Sequence, residues 1–237
     1  MRSALAIAWK EIQAYFTSPT AYIVAMIFVG IIGFFFANSI NTPYPEATAR
    51  GYVVPTTLVL VFLAPALTMR LMAEEQKMGT FELLLTAPVR DWEVVLGKFI
   101  ASMAFFVGTL SLTFYFVILL FWYGSPDVGP LWSSYLGLIL YGATVLSVGL
   151  LASSLTSNQI VAAVVAIGVL FILYFLDAAG SRLEGIPATL LNEIGLAVHF
   201  DDFSRGVIDL GNVIYYLSTT LLFLFLTTRS LESRRWR

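Results

Sequence analysis

The sequence predicts an all-α integral membrane protein with six transmembrane helices, and three observations lead there. Of its 237 residues 59% are hydrophobic and only 12% charged, where a soluble domain carries roughly 25% charged residues. The apolar residues form continuous blocks instead of alternating ones, which favours spanning helices over a barrel. Each block approaches the roughly 17–25 residues that a helix needs to cross about 30 Å of hydrocarbon. A single transmembrane domain, residues 1–237, accounts for the chain.

Taken in order, residues 3–16 read as an interfacial helix. Leu5, Trp9, Ile12 and Phe16 recur on one helical face, while Lys10, Glu11 and Gln13 lie elsewhere. Thr17-Ser18-Pro19 then breaks the helix, because proline lacks a backbone donor and restricts its predecessor. The same stretch lacks an uninterrupted apolar core and a small-residue cleavage site, so no signal peptide is expected. Six spans follow near 20–37, 52–69, 99–123, 131–155, 159–177 and 212–228.

Lysine and arginine counts orient these spans. One side carries Arg2, Lys10, Arg70, Lys77, Arg90, Lys98, Arg229, Arg234, Arg235 and Arg237. The other carries Arg50, Arg182 and Arg205. Ten against three predicts that both termini and the Arg70–Lys98 stretch face the cytoplasm. Outside, the first two loops are short and turn-rich. The third, about 178–211, mixes Glu184, Glu193, Asp201, Asp202 and Asp209 with Ile186, Leu190, Leu191, Ile194 and Phe200. That mixture predicts short helices on or in the outer leaflet. The fourth and fifth spans are joined by little more than Thr156-Ser157-Asn158, which predicts a tight hairpin.

The composition narrows the chemistry. Without cysteine there are no disulfides, thiol nucleophiles or thiolate metal sites. A net charge of −2 and a pI near 5.4 give no reason to expect nucleic acid. The proposed span interiors hold no charge, which counts against an ion-coupled carrier. The single histidine, His199, stands beside two aspartates, but one imidazole without a second His or Cys makes a weak metal site. No GxSxG, HExxH or GxxxxGK[ST] run occurs, so hydrolysis by those motifs, including ATP hydrolysis, would fall to another polypeptide.

Arg70–Lys98 is the only long charged stretch flanked by apolar blocks on both sides, and it is where a soluble partner would make contact. Glu74 and Glu75 are adjacent on a helix and point about 100° apart, so they do not converge on one atom. A solvated face is expected, with Glu74 pairing to Lys77 or back to Arg70. Gly79-Thr80 can break that helix and cap another, after which Phe81, Leu83, Leu84 and Leu85 form an apolar turn ended by Pro88. A short apolar helix between Gly and Pro suits docking in a partner's groove. Burial of the same leucines within the bundle or at the lipid interface fits the sequence about as well.

At this stretch the sequence resembles an ABC-2-type transporter permease. The shared run is Glu75…Gly79-Thr80…Leu83-Leu84-Leu85-Thr86…Pro88, followed by Gly97-Lys98. GLLASSLTSNQIVAA (149–163) and FDDFSRGVIDLGNVIYYLS (200–218) agree, in the same order, and the likeness covers essentially the whole chain. Its nearest branch is that of the gliding-motility and nitrous-oxide-reductase-maturation permeases. The resemblance implies a half-transporter in the bacterial inner membrane. It would pair with a second permease copy, identical or closely homologous, and with a cytoplasmic ABC ATPase that carries ATP and Mg while this chain binds no cofactor. Residues 3–16 would be the in-plane connecting helix, and 186–208 the re-entrant outer helices. Glu75, Gly79, Thr80, Phe81, Glu82, Leu83, Leu84, Leu85 and Pro88 would form the ATPase contact. Ser153, Ser154, Asn158 and Gln159 would form a second. The resemblance implies transport of an unknown substrate, and the uncharged spans suit an apolar or lipid-linked one better than a small ion. Its branch also admits a mechanotransmitting scaffold that acts on a periplasmic or outer auxiliary protein. An ion-coupled secondary carrier is the remaining class.

Overall fold

A computed structural model describes residues 2–41, 48–79, 89–182 and 184–235. Among them the chain is helical throughout, in ten helices. These are α1 (Arg2–Thr17), α2 (Pro19–Ile40), α3 (Arg50–Lys77), α4 (Asp91–Leu112), α5 (Phe114–Tyr123), α6 (Val128–Leu155), α7 (Gln159–Gly180), α8 (Ile186–Ile194), α9 (Leu196–Arg205) and α10 (Leu210–Arg235). Six spans are long and apolar enough to cross a bilayer: α2, α3, the α4–α5 pair, α6, α7 and α10. The expected six-span, all-α architecture is the one observed.

α3 and α6 form the centre. They are the most buried spans, whereas α2 and α7 are the least. Small residues of α6 let its neighbours approach: a Cβ on Gly149 would collide with the Thr68 hydroxyl of α3, and one on Gly142 with the Phe106 ring of α4. Packing, not hydrophobicity, decides which helices meet inside a bilayer, so close backbone approach at small residues is the physical route. α3 also tolerates two interior prolines, Pro55 and Pro65. Membrane helices do so because neighbouring helices and Ser/Thr side chains re-satisfy the freed backbone groups.

Two boundaries differ from the expected ones. The second span continues as helix through Arg70 to Lys77, and the third begins at Asp91, so most of the charged stretch is helical and attached to spans. The third span is also broken. At Thr113 the helix restarts, the Thr113 hydroxyl donates to the Leu110 carbonyl at 2.6 Å, and Tyr135 of α6 meets that hydroxyl at 2.9 Å. The Tyr135 ring stacks on Phe114, the first residue of α5, at 4.6 Å.

α1 is a separate helix, as the Ser18-Pro19 break predicts. Leu5, Trp9 and Phe16 point outward and are more than half exposed. The face turned to α4 is the small one, with Ala4 and Ala8 buried. Gly97 of α4 makes the contact possible, since a Cβ there would lie 2.8 Å from the Ala4 carbonyl and 2.9 Å from the Ile7 side chain.

At the opposite end, the expected short helices are α8 and α9. α9 lies against α6, α7 and α3 with Leu196, Phe200 and Phe203 buried. Gly137 of α6 receives it: an added Cβ would stand 2.7 Å from Phe203. The Ser133 hydroxyl donates to the Phe203 carbonyl at 2.6 Å, and Tyr216 of α10 donates to the Leu196 carbonyl at 2.8 Å. His199 has a structural position. Its Nδ1 lies 2.9 Å from the Gly195 carbonyl and its ring stacks on Tyr215 at 3.7 Å.

Candidate functional site: the junction at the Lys/Arg-rich end

The ends of five helices meet where the charged stretch joins the bundle. Their centre is Lys98, about two turns into α4, with only 1% of its side chain exposed. Its Nζ lies 2.8 Å from the Glu11 carboxylate of α1 and 2.9 Å from the Glu75 carboxylate of α3. It also donates to the Leu71 carbonyl at 2.6 Å. An ammonium without water is costly unless its hydrogen bonds are replaced by charged or polar partners. Here three oxygens take that role, and they belong to two other helices.

Glu75 therefore does not lie on a solvated face as expected. Its neighbour does: Arg70 Nε donates to Glu74 at 3.0 Å, and both side chains are about a third exposed. The 100° offset between adjacent residues explains the split. Arg70 also fastens the α1–α2 corner, with Nη1 at 3.1 Å from Ser18 Oγ and 2.7 Å from Thr20 Oγ1. Tyr15 of α1 donates to the Leu67 carbonyl at 2.9 Å. Burial, and secondarily the Glu11 carboxylate, pushes the Tyr15 phenol well above its usual pKa, so it stays a neutral donor.

The turn between α6 and α7 is tied to the same place. Ser153, fully buried near the end of α6, accepts from the Met72 and Ala73 amides at 3.1 Å each and donates to the Met69 carbonyl at 3.0 Å. Its hydroxyl thus sits within a turn of α3. Gln76 donates to the Ser154 carbonyl at 2.9 Å, and the Ser154 hydroxyl lies 3.2 Å from Ser230 of α10. Below this polar layer an apolar cluster of Leu71, Met72, Val94, Val95, Leu150, Leu224 and Leu231 joins the same helices. Ser153 and Ser154 are thereby committed inside the bundle. Asn158 is exposed and caps α7, its Oδ1 accepting from the Ile160 and Val161 amides at 2.9 and 3.4 Å, with Gln159 half-buried beside it.

Gly79 has a φ of +70°, in the left-handed region that glycine adopts without strain, and α3 ends two residues earlier at Lys77. The predicted break is where the structure breaks. Thr80, Phe81, Glu82, Leu83, Leu84, Leu85 and Pro88 lie outside the described residues. What sequence reasoning missed is Lys98. It stood at the edge of a span as one more cation in a mixed-charge run, and only the approach of α1 and α3 reveals its carboxylate partners. The adjacent Gly97 was the available signal, a small residue beside a charge.

The sequence profile of the ABC-2 family transporter proteins matches residues 5–179. Among curated proteins, the chain is 28% identical over 167 residues to the Escherichia coli protein named probable multidrug ABC transporter permease YbhR, covering 69% of this chain and 45% of that one. It is 28% identical over 185 residues to the E. coli protein named probable multidrug ABC transporter permease YbhS, covering 76% of this chain and 48% of that one. The chain spans about half the length of these relatives.

Proposed function

Because this chain belongs to the ABC-2 family of transporter proteins, we propose that it is the membrane half of an ATP-driven exporter, energised by a separate cytoplasmic ABC ATPase. The observation that carries the reading is the convergence of α1, α3 and α4 on Lys98, whose partner Glu75 stands four residues before Gly79. A push on the segment after Gly79 reaches Glu75 within about one turn of helix, and through Lys98 it reaches α1 and α4 together. Residues 80–88 are the ATPase contact in this reading, and the exposed tip at Asn158 and Gln159 is the second. Both termini then lie in the cytoplasm of a bacterial cell and the spans in its inner membrane.

A second copy of the chain, or a close homologue, completes the pathway. An apolar cargo fits spans whose charges gather toward their ends and leave 51–69 and 99–123 uncharged, and the relatives carry multidrug names. The mechanotransmitting alternative uses the same junction and differs only in the load, which would be an outer partner instead of a solute.

Purification from native membranes tests the class. An ATPase subunit should co-purify at one per permease, and Leu84→Asp should uncouple its ATP hydrolysis from the permease, since burying a carboxylate in an apolar groove is costly. A chain that purifies alone after mild extraction, or a folded Leu84→Asp variant with unchanged coupling, would overturn the assignment. Stimulation of the ATPase by apolar compounds, with flux in vesicles, separates transport from force transmission.

A further inference from the structure

A cleft of about 150 Å³ opens beside the junction, between the α1–α2 corner and α3. This is about ten times the roughly 10–15 Å³ that one water needs. Its two ends differ. Glu11, Arg70 and Glu74 line the polar end, with the Ser18 and Thr20 hydroxyls beside Arg70. Ala21, Val24, Ala66 and Leu67 line the other, which runs along α2 and α3 into the spanning segments. Small residues, Ala21 and Ala66, keep the apolar end open. A cavity that passes from charges to hydrocarbon is shaped for an amphiphile, not for a solute or a peptide.

The charges select the headgroup. With Lys98 and Glu75, which share the Glu11 ion cluster, the site holds three carboxylates against two cations, a balance of minus one, which disfavours an anionic lipid and favours an ammonium. The guanidinium still has capacity for a phosphate: its Nε and Nη1 are engaged, whereas Nη2 donates to none of the described residues. A planar guanidinium with free N–H groups is a strong phosphate donor. We propose that this cleft is a binding site for a phospholipid with a primary ammonium, of the phosphatidylethanolamine type. The phosphate sits on Arg70, the ammonium on Glu11 and Glu74, and the first acyl methylenes lie between Val24, Ala66 and Leu67. A choline headgroup lacks N–H donors for the carboxylates, and a glycerol headgroup lacks the positive charge. Because Glu11 also holds Lys98, the bound lipid adjoins the ion cluster that joins α1 to α3.

Native mass spectrometry of the full chain in detergent tests the site. The protein is exchanged in turn against phosphatidylethanolamine, phosphatidylcholine and phosphatidylglycerol. One phosphatidylethanolamine should be retained per chain with a preference of about tenfold, the ratio that one charge-assisted contact of roughly 1.4 kcal/mol gives. Glu74→Gln, which preserves shape, should weaken that preference. Ala66→Leu, which fills the apolar end, should abolish retention while leaving lipid-free thermal unfolding unchanged. Equal retention of the three lipids, or retention unaffected by Ala66→Leu, would overturn the proposal. So would competition by water-soluble phosphoethanolamine as effective as that of the lipid, which would make the ligand a soluble one.

Discussion

Lys98 and Glu11 stand 87 residues apart in the chain and 2.8 Å apart in space. That ion pair ties the N-terminal helix to the third span beside the packing of Ala4 on Gly97, and Glu75 brings in the second span through the same nitrogen. Breaking a buried pair by removing one partner typically costs about 3–5 kcal/mol, whereas replacing the whole group by neutral residues is often neutral. Lys98→Met should therefore lower the thermal unfolding midpoint in detergent sharply. Combining it with Glu11→Gln and Glu75→Gln should recover most of the stability. If the triple variant regains stability yet couples poorly to the ATPase, the cluster transmits motion as well as holding the fold.

Gly97 makes a narrower prediction. Gly97→Ala places a methyl against the Ala4 carbonyl and the Ile7 side chain, and overpacking of this kind costs about 1–3 kcal/mol. A Cβ added at Gly108, in the same helix, would meet nothing within 4 Å. Gly108→Ala should leave unfolding within about 1 kcal/mol of the parent. Equal effects of the two substitutions would show that α1 does not depend on this approach.

Ser153→Ala removes a hydroxyl that three backbone groups of α3 use. Each hydrogen bond lost costs about 0.5–1.5 kcal/mol. Hydrogen exchange should quicken locally at Met72 and Ala73 while the α2 and α7 amides keep their protection. A uniform change across the chain would point to global destabilisation instead.

The absence of cysteine makes the topology directly measurable. Single cysteines at Ser125 and Ser233, both exposed, should be labelled from opposite faces of intact cells, with Ser125 reached from outside. Labelling from one face would break the orientation on which the ATPase contact rests.

Spans were legible because hydrocarbon imposes length and composition on a helix, and six apolar blocks left little freedom. The short helices before the last span were legible for a related reason: Ile186, Leu190 and Phe200 are mixed there with acids such as Glu184, Glu193 and Asp201. The ion cluster was not. Beyond the adjacent Gly97, nothing local distinguishes Lys98 from Lys77, which is exposed, and its carboxylate partners come from two distant segments. In α1 the large apolar face, Leu5, Trp9 and Phe16, was legible and points outward; the face that packs on protein, Ala4 and Ala8, was not, because a backbone can approach Gly97 only through small side chains. Ser153 and Ser154 read as surface groups at a turn, but their hydroxyls serve α3 and α10.

The seat of α9 on α6 has a further consequence. Gly137 leaves room for the Cβ and Cγ of Phe203 and the edge of Phe200, and the Ser133 hydroxyl holds the Phe203 carbonyl. One helical turn, about 5.4 Å, would carry the ring out of that space and onto residues with side chains of their own. The end of the bundle that α9 covers is thus seated in one register, defined by a small residue of α6 and not by a large one.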